Sequence, residues 1–260
     1  MYIKPYDELT IQDNFIFQKV MRNKRICKQT IERLLDIDIK DISYPEEEKS
    51  INVRLDSKSI RLDVYVNDDK GTVFNIEMQT TKDMDELVKR TRYYQGLIDI
   101  DNIEKGQNYS ALHDTYIILI CTFGVFTGKR HKYTFRNLCI EDNEILLNDG
   151  TTKLFLSTKG EADDVSKPLK MFLDYVDGKK PEDALMQEID HEVDTVKHCD
   201  EWRRDYMTLA LEMDKKWREG KAEGKIEAIR NAIKDGLTTL AAVKKSGRYT
   251  EEEIAAIAAP

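Results

Sequence analysis

The stretch Arg61-Leu-Asp-Val-Tyr-Val-Asn-Asp-Asp-Lys-Gly-Thr-Val-Phe-Asn-Ile-Glu-Met-Gln79 constrains the fold more than any other part of the chain. Two runs of alternating apolar and polar residues flank Asp69-Lys70-Gly71, and a period of two means half-buried strands. A three-residue hairpin loop wants a type I turn closed by a left-handed residue, which Gly71 supplies because it lacks a Cβ. That turn pairs Asp68 with Thr72 and sets the register upstream. Val66 then faces Phe74, Val64 faces Ile76 and Leu62 faces Met78, an apolar set throughout. On the other face Tyr65 meets Asn75, Asp63 meets Glu77 and Arg61 meets Gln79. Pattern and turn agree on this pairing, since a slip of one residue would bury the polar set.

The register has a chemical consequence. Carboxylates directly across two strands have Cβ atoms roughly 4.5–5.5 Å apart, and burial makes that repulsion worse. A shared proton, a basic side chain such as Lys58, Arg61 or Lys82, or a divalent cation can each relieve it. Hard cations such as Mg²⁺ bind through one or two carboxylates together with water and phosphate oxygens. Such an ion can activate water and neutralise the leaving oxygen in phosphodiester hydrolysis. A solvated strand face shielded by basic residues is the plainer alternative, and spacing by itself does not choose.

Around the hairpin the period is helical. Thr10 to Met21 opens with a Thr10/Asp13 box and puts Phe17, Val20 and Met21 on one face. A second helix starts near Lys24, with Cys27, Thr30, Ile31, Leu34 and Leu35 inward. Ile51, Val53 and Leu55 alternate as a strand. Met84, Leu87, Val88, Thr91, Tyr94, Leu97 and Ile98 form one helical stripe. Thr115–Cys121 is continuously apolar, as in a central strand covered on both faces, and a helix between two strands of one sheet implies a crossover. Short strands are expected near Tyr133–Ile140 and Lys153–Ser157. The expected architecture is therefore α/β, an αβββαβ core with a mixed central sheet over residues 1–165, followed by a helical C-terminal region over 166–260.

In that second region Pro168–Tyr175 and Pro181–Ile189 read as short helices. A long helix from His191 to Lys234 ends at Gly236, and two small helices follow, the last opened by Thr250 and Glu253. Val196, Tyr206, Leu209, Met213 and Trp217 make an apolar seam that one helix cannot bury. Gly220 and Gly224, in a Glu-Gly-Lys repeat, permit close approach of a second backbone. These features point to a homo-oligomer formed through the C-terminal helices. Gly236–Ile257 resembles a helix-turn-helix only superficially, because Glu251, Glu252 and Glu253 would repel phosphate.

The net charge of −8 means that any DNA contact must come from a local basic surface or from bound cations. Gly128–Arg136 mixes Lys129, Arg130, Lys132 and Arg136 with His131, Tyr133 and Phe135, a pattern equally suited to a nucleic-acid rim and to a solvated loop. Arg90 and Arg92 reach either a phosphate or Asp85, Glu86 and Asp99. Asp13 or Glu32 is a candidate further carboxylate. Cys27, Cys121, Cys139 and Cys199 lie far apart and read as reduced thiols, and the four histidines show no metal spacing. With no export signal at the N-terminus and no apolar run that can span a bilayer, a soluble cytoplasmic protein with no membrane partner is expected.

Asp63, then Glu77-Met78-Gln79 on the next strand, then a helix bearing Arg92-Tyr93-Tyr94, then Lys105-Gly-x-x-Tyr109 before an apolar strand, resembles the recombination-promoting nuclease and putative transposase family of the PD-(D/E)XK nuclease superfamily. The likeness covers about residues 5 to 160, and the Glu-Gly-Lys helix is similar to that family's C-terminal end. The resemblance implies a DNA endonuclease dependent on Mg²⁺ or another divalent cation such as Mn²⁺ or Ca²⁺, acting on DNA in recombination or mobile elements. It makes Asp63 and Glu77 the metal ligands and the backbone carbonyl of Met78 a third. Gln79 falls where the superfamily has lysine, and an amide orients water or phosphate without carrying charge. Leu62 stands where proline is usual. The departure at Gln79 leaves open a catalytically weak or silent module that binds DNA or protein.

Overall fold

The computed structural model describes residues 2–43, 46–51 and 60–259. Helices α1 (Asn14–Met21) and α2 (Lys24–Leu35) precede strands β1 (Glu46–Ile51), β2 (Ile60–Asn67) and β3 (Val73–Gln79). Helix α3 (Met84–Asn102) leads into β4 (Thr115–Cys121), and β5 (Lys132–Phe135) and β6 (Thr151–Ser157) follow. Among the described residues these strands form one six-stranded sheet in the order β1-β2-β3-β4-β6-β5. β1, β2 and β3 run antiparallel, β3-β4 and β4-β6 parallel, and β5-β6 antiparallel. The mixed sheet and the αβββαβ order are those expected from the periodicity.

The hairpin closes as its turn chemistry dictates. Gly71 has φ +85°, and the Asp68 amide donates to the Thr72 carbonyl at 3.0 Å. The Asp68 carboxylate accepts from the Lys70 and Thr72 amides at 2.9 and 2.8 Å. The observed partners include Val66↔Phe74, Tyr65↔Asn75 and Val64↔Ile76, so the register is the one the turn selects. The polar face differs from the simple pattern. α3 crosses between the parallel strands β3 and β4 and lays Leu87, Thr91, Tyr94, Leu97 and Ile98 inward. Consequently Asp63, Asn75, Glu77 and Gln79 are all buried. A solvated strand face is excluded.

Other local expectations shift by a few residues for identifiable reasons. The Thr10 amide donates to Asp13 Oδ2 at 2.7 Å and the Asp13 amide to the Thr10 carbonyl at 2.9 Å. This closes a turn ahead of α1 instead of forming its first turn. β1 ends at Ile51, and Val53, Leu55 and Lys58 lie outside the described residues. β5 stops at Phe135, beyond which Leu138 makes an isolated bridge to Leu146.

Helices α4 (Lys167–Val176) and α5 (Ala184–Lys197) come next. The helix expected to run unbroken from His191 ends instead at Lys197, where His198 Nδ1 lies 2.7 Å from the Asp194 carbonyl. α6 (Asp200–Lys234) starts afresh with Asp200 and Glu201 in its first turn, acids that suit a helix N-terminus. Composition changes at Ser166, but packing does not. Gln12 donates to the Val176 carbonyl at 2.6 Å, and Arg33 pairs with Asp183 at 2.6 Å. Asp7–Cys199 therefore makes one compact unit.

Met1–Tyr6 and Asp200–Pro260 make the other unit. In it the Tyr206 hydroxyl donates to the Lys4 carbonyl at 2.7 Å. α6 ends in a Schellman cap, with the Gly236 amide on Ile233 and the Leu237 amide on Ala232. α7 (Leu240–Lys245) and α8 (Glu251–Ala258) follow, α8 with the expected Thr250/Glu253 capping box. Among the described residues no helix is long and apolar enough to cross a membrane.

Candidate active site

Where β2 and β3 pass the Val64↔Ile76 pair, carboxylates enter the ladder. The Asp63 amide donates to Glu77 Oε1 at 3.1 Å, and the Met78 amide donates to Asp63 Oδ2 at 3.1 Å. Each acid thus accepts from the backbone of the facing strand, which holds both on the same side of the sheet. Asp63 is 6 % exposed and Glu77 3 %. The Glu77 carboxyl is raised well above the usual range, first by burial and next by the Asp63 charge, against opposing pulls from the Asp63 amide and the Arg90 charge. Two buried like charges at one point are costly unless something shares them.

Two helices converge on the pair. From α1, Gln18 Nε2 donates to Asp63 Oδ1 at 2.9 Å and Asn14 Nδ2 reaches the same oxygen at 3.4 Å. From α3, Arg90 donates to Gln79 Oε1 at 3.1 Å. Tyr94, one turn on from Arg90, has its hydroxyl raised to about 12, chiefly by burial and then by the Glu77 charge. The Asn75 side chain pulls the Glu77 carboxyl downward, and Arg90 Nε is buried with no hydrogen-bond partner among the described residues. Buried polar atoms of this kind are normally satisfied by protein, water or a ligand.

The site therefore brings together Asp63, Glu77 and Gln79, with the backbone of Met78 between the last two. Arg90 turns inward to Gln79, whereas Arg92 is exposed. Asp13 and Glu32 stay out of it, Asp13 bonded to Thr10 and Glu32 to Lys28 and the Ile39 amide. Lys58 lies outside the described residues, as does the side chain of Arg61. Sequence reasoning missed Asn14, Gln18 and Tyr94. The available signal was Gln18, a polar residue among the inward positions Phe17, Val20 and Met21, one helical turn after a second amide. Among the described residues no three His, Cys, Asp or Glu side chains group as a metal site.

The basic segment Gly128–Arg136 is mostly tied internally. Lys129 pairs with Glu161 at 2.8 Å, and Lys132 Nζ donates to the Leu34 carbonyl at 3.3 Å. His131, given no role from the sequence, is the centre of a second buried cluster. Its Nδ1 lies 2.9 Å from the Ala162 carbonyl and 3.1 Å from Asp164 Oδ1, and its amide donates to that oxygen at 3.1 Å. Burial alone would raise the Asp164 carboxyl, but the bonds from His131 and from the Lys132 amide outweigh it and hold it below the usual range. Gly160 makes room for the ring, since a Cβ there would stand 2.5 Å from His131 Cγ.

The family model described as PD-(D/E)XK nuclease family transposase matches residues 14–158, more than half of the chain. Its bounds run from the start of α1 to one residue past β6 and enclose the whole cluster around Asp63 and Glu77. No curated protein and no solved structure matches the chain.

Proposed function

The chain belongs to the PD-(D/E)XK nuclease family transposases, and from that premise we propose that it is a metal-dependent DNA endonuclease acting in recombination or on mobile elements. The reciprocal bonding of Asp63 and Glu77 across β2 and β3 carries this reading. Oxygen donors and a carboxyl raised by burial and then by its acidic neighbour suit a hard divalent cation such as Mg²⁺, with Mn²⁺ or Ca²⁺ as alternatives. Asp63, Glu77 and the Met78 carbonyl would hold it. When bound, such an ion supplies an activated water and neutralises charge on the leaving oxygen.

The rest of the work falls to side chains already in place. Gln18 and Asn14 fix the Asp63 carboxylate in one orientation. Gln79 accepts from Arg90 through Oε1, which leaves its NH₂ free to donate to a water or a phosphate oxygen. The charge that glutamine lacks in the lysine position comes from the Arg90 guanidinium.

Plasmid nicking with and without Mg²⁺ tests the proposal, comparing the native chain with Asp63→Ala and Glu77→Ala. Cutting only by the native chain with metal is the expected result. Equal cutting by all three would remove the site. A second reading, a nuclease-like module that binds DNA or protein as an oligomer, rests on α6. None of its 35 residues is buried, and Met207, Leu211 and Trp217 are exposed. Binding without cutting, by a chain that sediments as an oligomer, would favour it, whereas a monomer removes the self-association. The free thiols at Cys27, Cys121, Cys139 and Cys199 support a cytoplasmic setting.

A further inference from the structure

The sheet face that carries Glu77 continues into an aromatic hollow. Register places Glu77, Leu119, Phe155 and Tyr133 in one row across β3, β4, β6 and β5. At about 4.8 Å between strands, Phe155 lies roughly 10 Å from Glu77 along that row. α3 sits on this face, with Leu87 packed in one cluster with Leu119 and Phe155. One flank of α3 turns Arg90 toward Gln79. The other flank, with Lys89 and Arg92, lines a cavity of about 470 Å³ whose wall includes Phe126, Phe135, Phe155 and Lys153.

The hollow has a buried base and open sides. Phe155 is 2 % exposed, whereas Phe126 and Phe135 are 39 % and 44 % exposed. The ring centroids lie 5.2 Å apart for Phe126–Phe155, 5.2 Å for Phe126–Phe135 and 5.7 Å for Phe135–Phe155, at interplanar angles of 75°, 54° and 82°. No pair of the three is stacked face to face, Tyr133 packs against Phe126 as well, and the two outer rings remain part-exposed. Phe126 also has φ +52°, a left-handed conformation that a bulky side chain rarely adopts. Strain kept at a half-exposed ring points to a positioned group.

The rim supplies the charge complement. Among the described residues Lys89 and Arg92 make no ion pair, and Lys153 shares its field with Asp99. In a chain of net charge −8, cations gathered round exposed rings call for a ligand that is both planar and anionic. A nucleotide is such a ligand, with its base on the rings and its phosphates on the rim. A base paired within a duplex hides its faces in the stack and cannot enter, so the occupant is unpaired.

We propose that this hollow binds an unpaired nucleobase of the strand whose phosphodiester lies at Asp63 and Glu77. The inference rests on the nuclease reading for that second site and deepens it, because it makes single-stranded or locally opened DNA the substrate class. Fluorescence anisotropy of the full chain in EDTA, which prevents cutting, tests it. The probes are labelled oligodeoxythymidine, a blunt duplex and the same duplex carrying one bulged base. Phe126→Leu and Phe135→Leu keep apolar volume but remove the ring, and their circular dichroism melts check folding.

Each leucine variant is expected to weaken binding of the single strand or the bulged duplex about tenfold while leaving the blunt duplex unchanged. Loss on the single strand alone identifies a continuous unpaired strand as the source of the base, and loss on the bulge identifies extrusion from a duplex. Lys89→Gln and Arg92→Gln are expected to weaken all three probes and to lower the salt slope by about one each. Leucine variants that bind every probe like the native chain overturn the proposal. Equal weakening on all three, or no DNA binding by the native chain, overturns it as well. The nuclease reading fails separately, if nicking is indifferent to Asp63 and Glu77 while ring-dependent binding persists.

Discussion

Glu77 and Asp164 are both carboxylates largely taken out of water in the same compact unit, yet their surroundings treat them oppositely. Asp164 accepts from the His131 and Lys132 amides and from the His131 ring, and its carboxyl is held below the usual range. Glu77 meets a second acid, and its carboxyl is pushed well above that range. The contacts of the first cluster tie the loop after β6 to β5, with His131 Nε2 buried and without a partner among the described residues. The second sets two buried acids against each other and leaves Arg90 Nε without a partner among the described residues. An arrangement that costs stability and yet is built from β2, β3, α1 and α3 reads as one shaped for something that binds there.

The largest test of that contrast exchanges charge for shape in each cluster. Glu77→Gln is expected to reduce Mg²⁺-dependent nicking by about 10³-fold or more, several kcal/mol of transition-state stabilisation. Its melting temperature in EDTA should hold or rise, because one of two buried like charges is gone. Asp164→Asn should leave nicking intact but destabilise the fold by about 1.5–3 kcal/mol, the worth of hydrogen bonds to a charged group. Thermal unfolding and nicking of the two proteins side by side decide it. A destabilised Glu77→Gln beside an unaffected Asp164→Asn would reverse the assignment of roles.

Arg90 sharpens the comparison at the next level down. If its guanidinium is the charge that Gln79 lacks, Arg90→Gln should slow nicking by about 10–100-fold, and Arg90→Lys should recover part of the loss. Because the Arg90 charge also opposes the upward push on Glu77, the acid limb of the pH–rate profile should move to higher pH in Arg90→Gln. A purely structural arginine would change the melting temperature without moving that limb.

Much of this was legible in the sequence. The hairpin register followed from Gly71 and two alternating runs, and with it came the facing of Asp63 and Glu77. What the pattern hid was burial on the polar side. Alternation distinguishes two faces but does not reveal that α3 covers the second one, so Asn75, Glu77 and Gln79 looked solvated. Gln18 showed only as a polar residue on the inward face of α1, and nothing in the helical period says that packing brings it and Asn14 to Asp63. The break between α5 and α6 rests on a single cap at His198, which helical periodicity reads straight through. The cations of Gly128–Arg136 advertised an open surface, but Lys129 is paired with Glu161 and Lys132 is spent on the Leu34 carbonyl.

The smallest expected effect is the most direct statement of the difference between the two acids. A native carboxyl raised above its unfolded value binds more protons when folded, so stability falls as pH rises. For Glu77 that stability is complete below the ordinary glutamate range, near 4.3, and is lost as pH climbs through the native value. For Asp164 the sign reverses. Its contribution is present above the ordinary aspartate value, near 3.9, and disappears as pH falls through the lowered native one. Each acid contributes at most one proton, a slope of about 1.4 kcal/mol per pH unit. Urea unfolding in EDTA should therefore show an alkaline decline that Glu77→Gln removes and an acid decline that Asp164→Asn reduces. Added Mg²⁺ should flatten the first and leave the second alone, because a cation held by Asp63 and Glu77 favours their charged forms in the folded state. An alkaline decline that survives Glu77→Gln would mean that the two clusters are alike after all, and that the acid pair is structural.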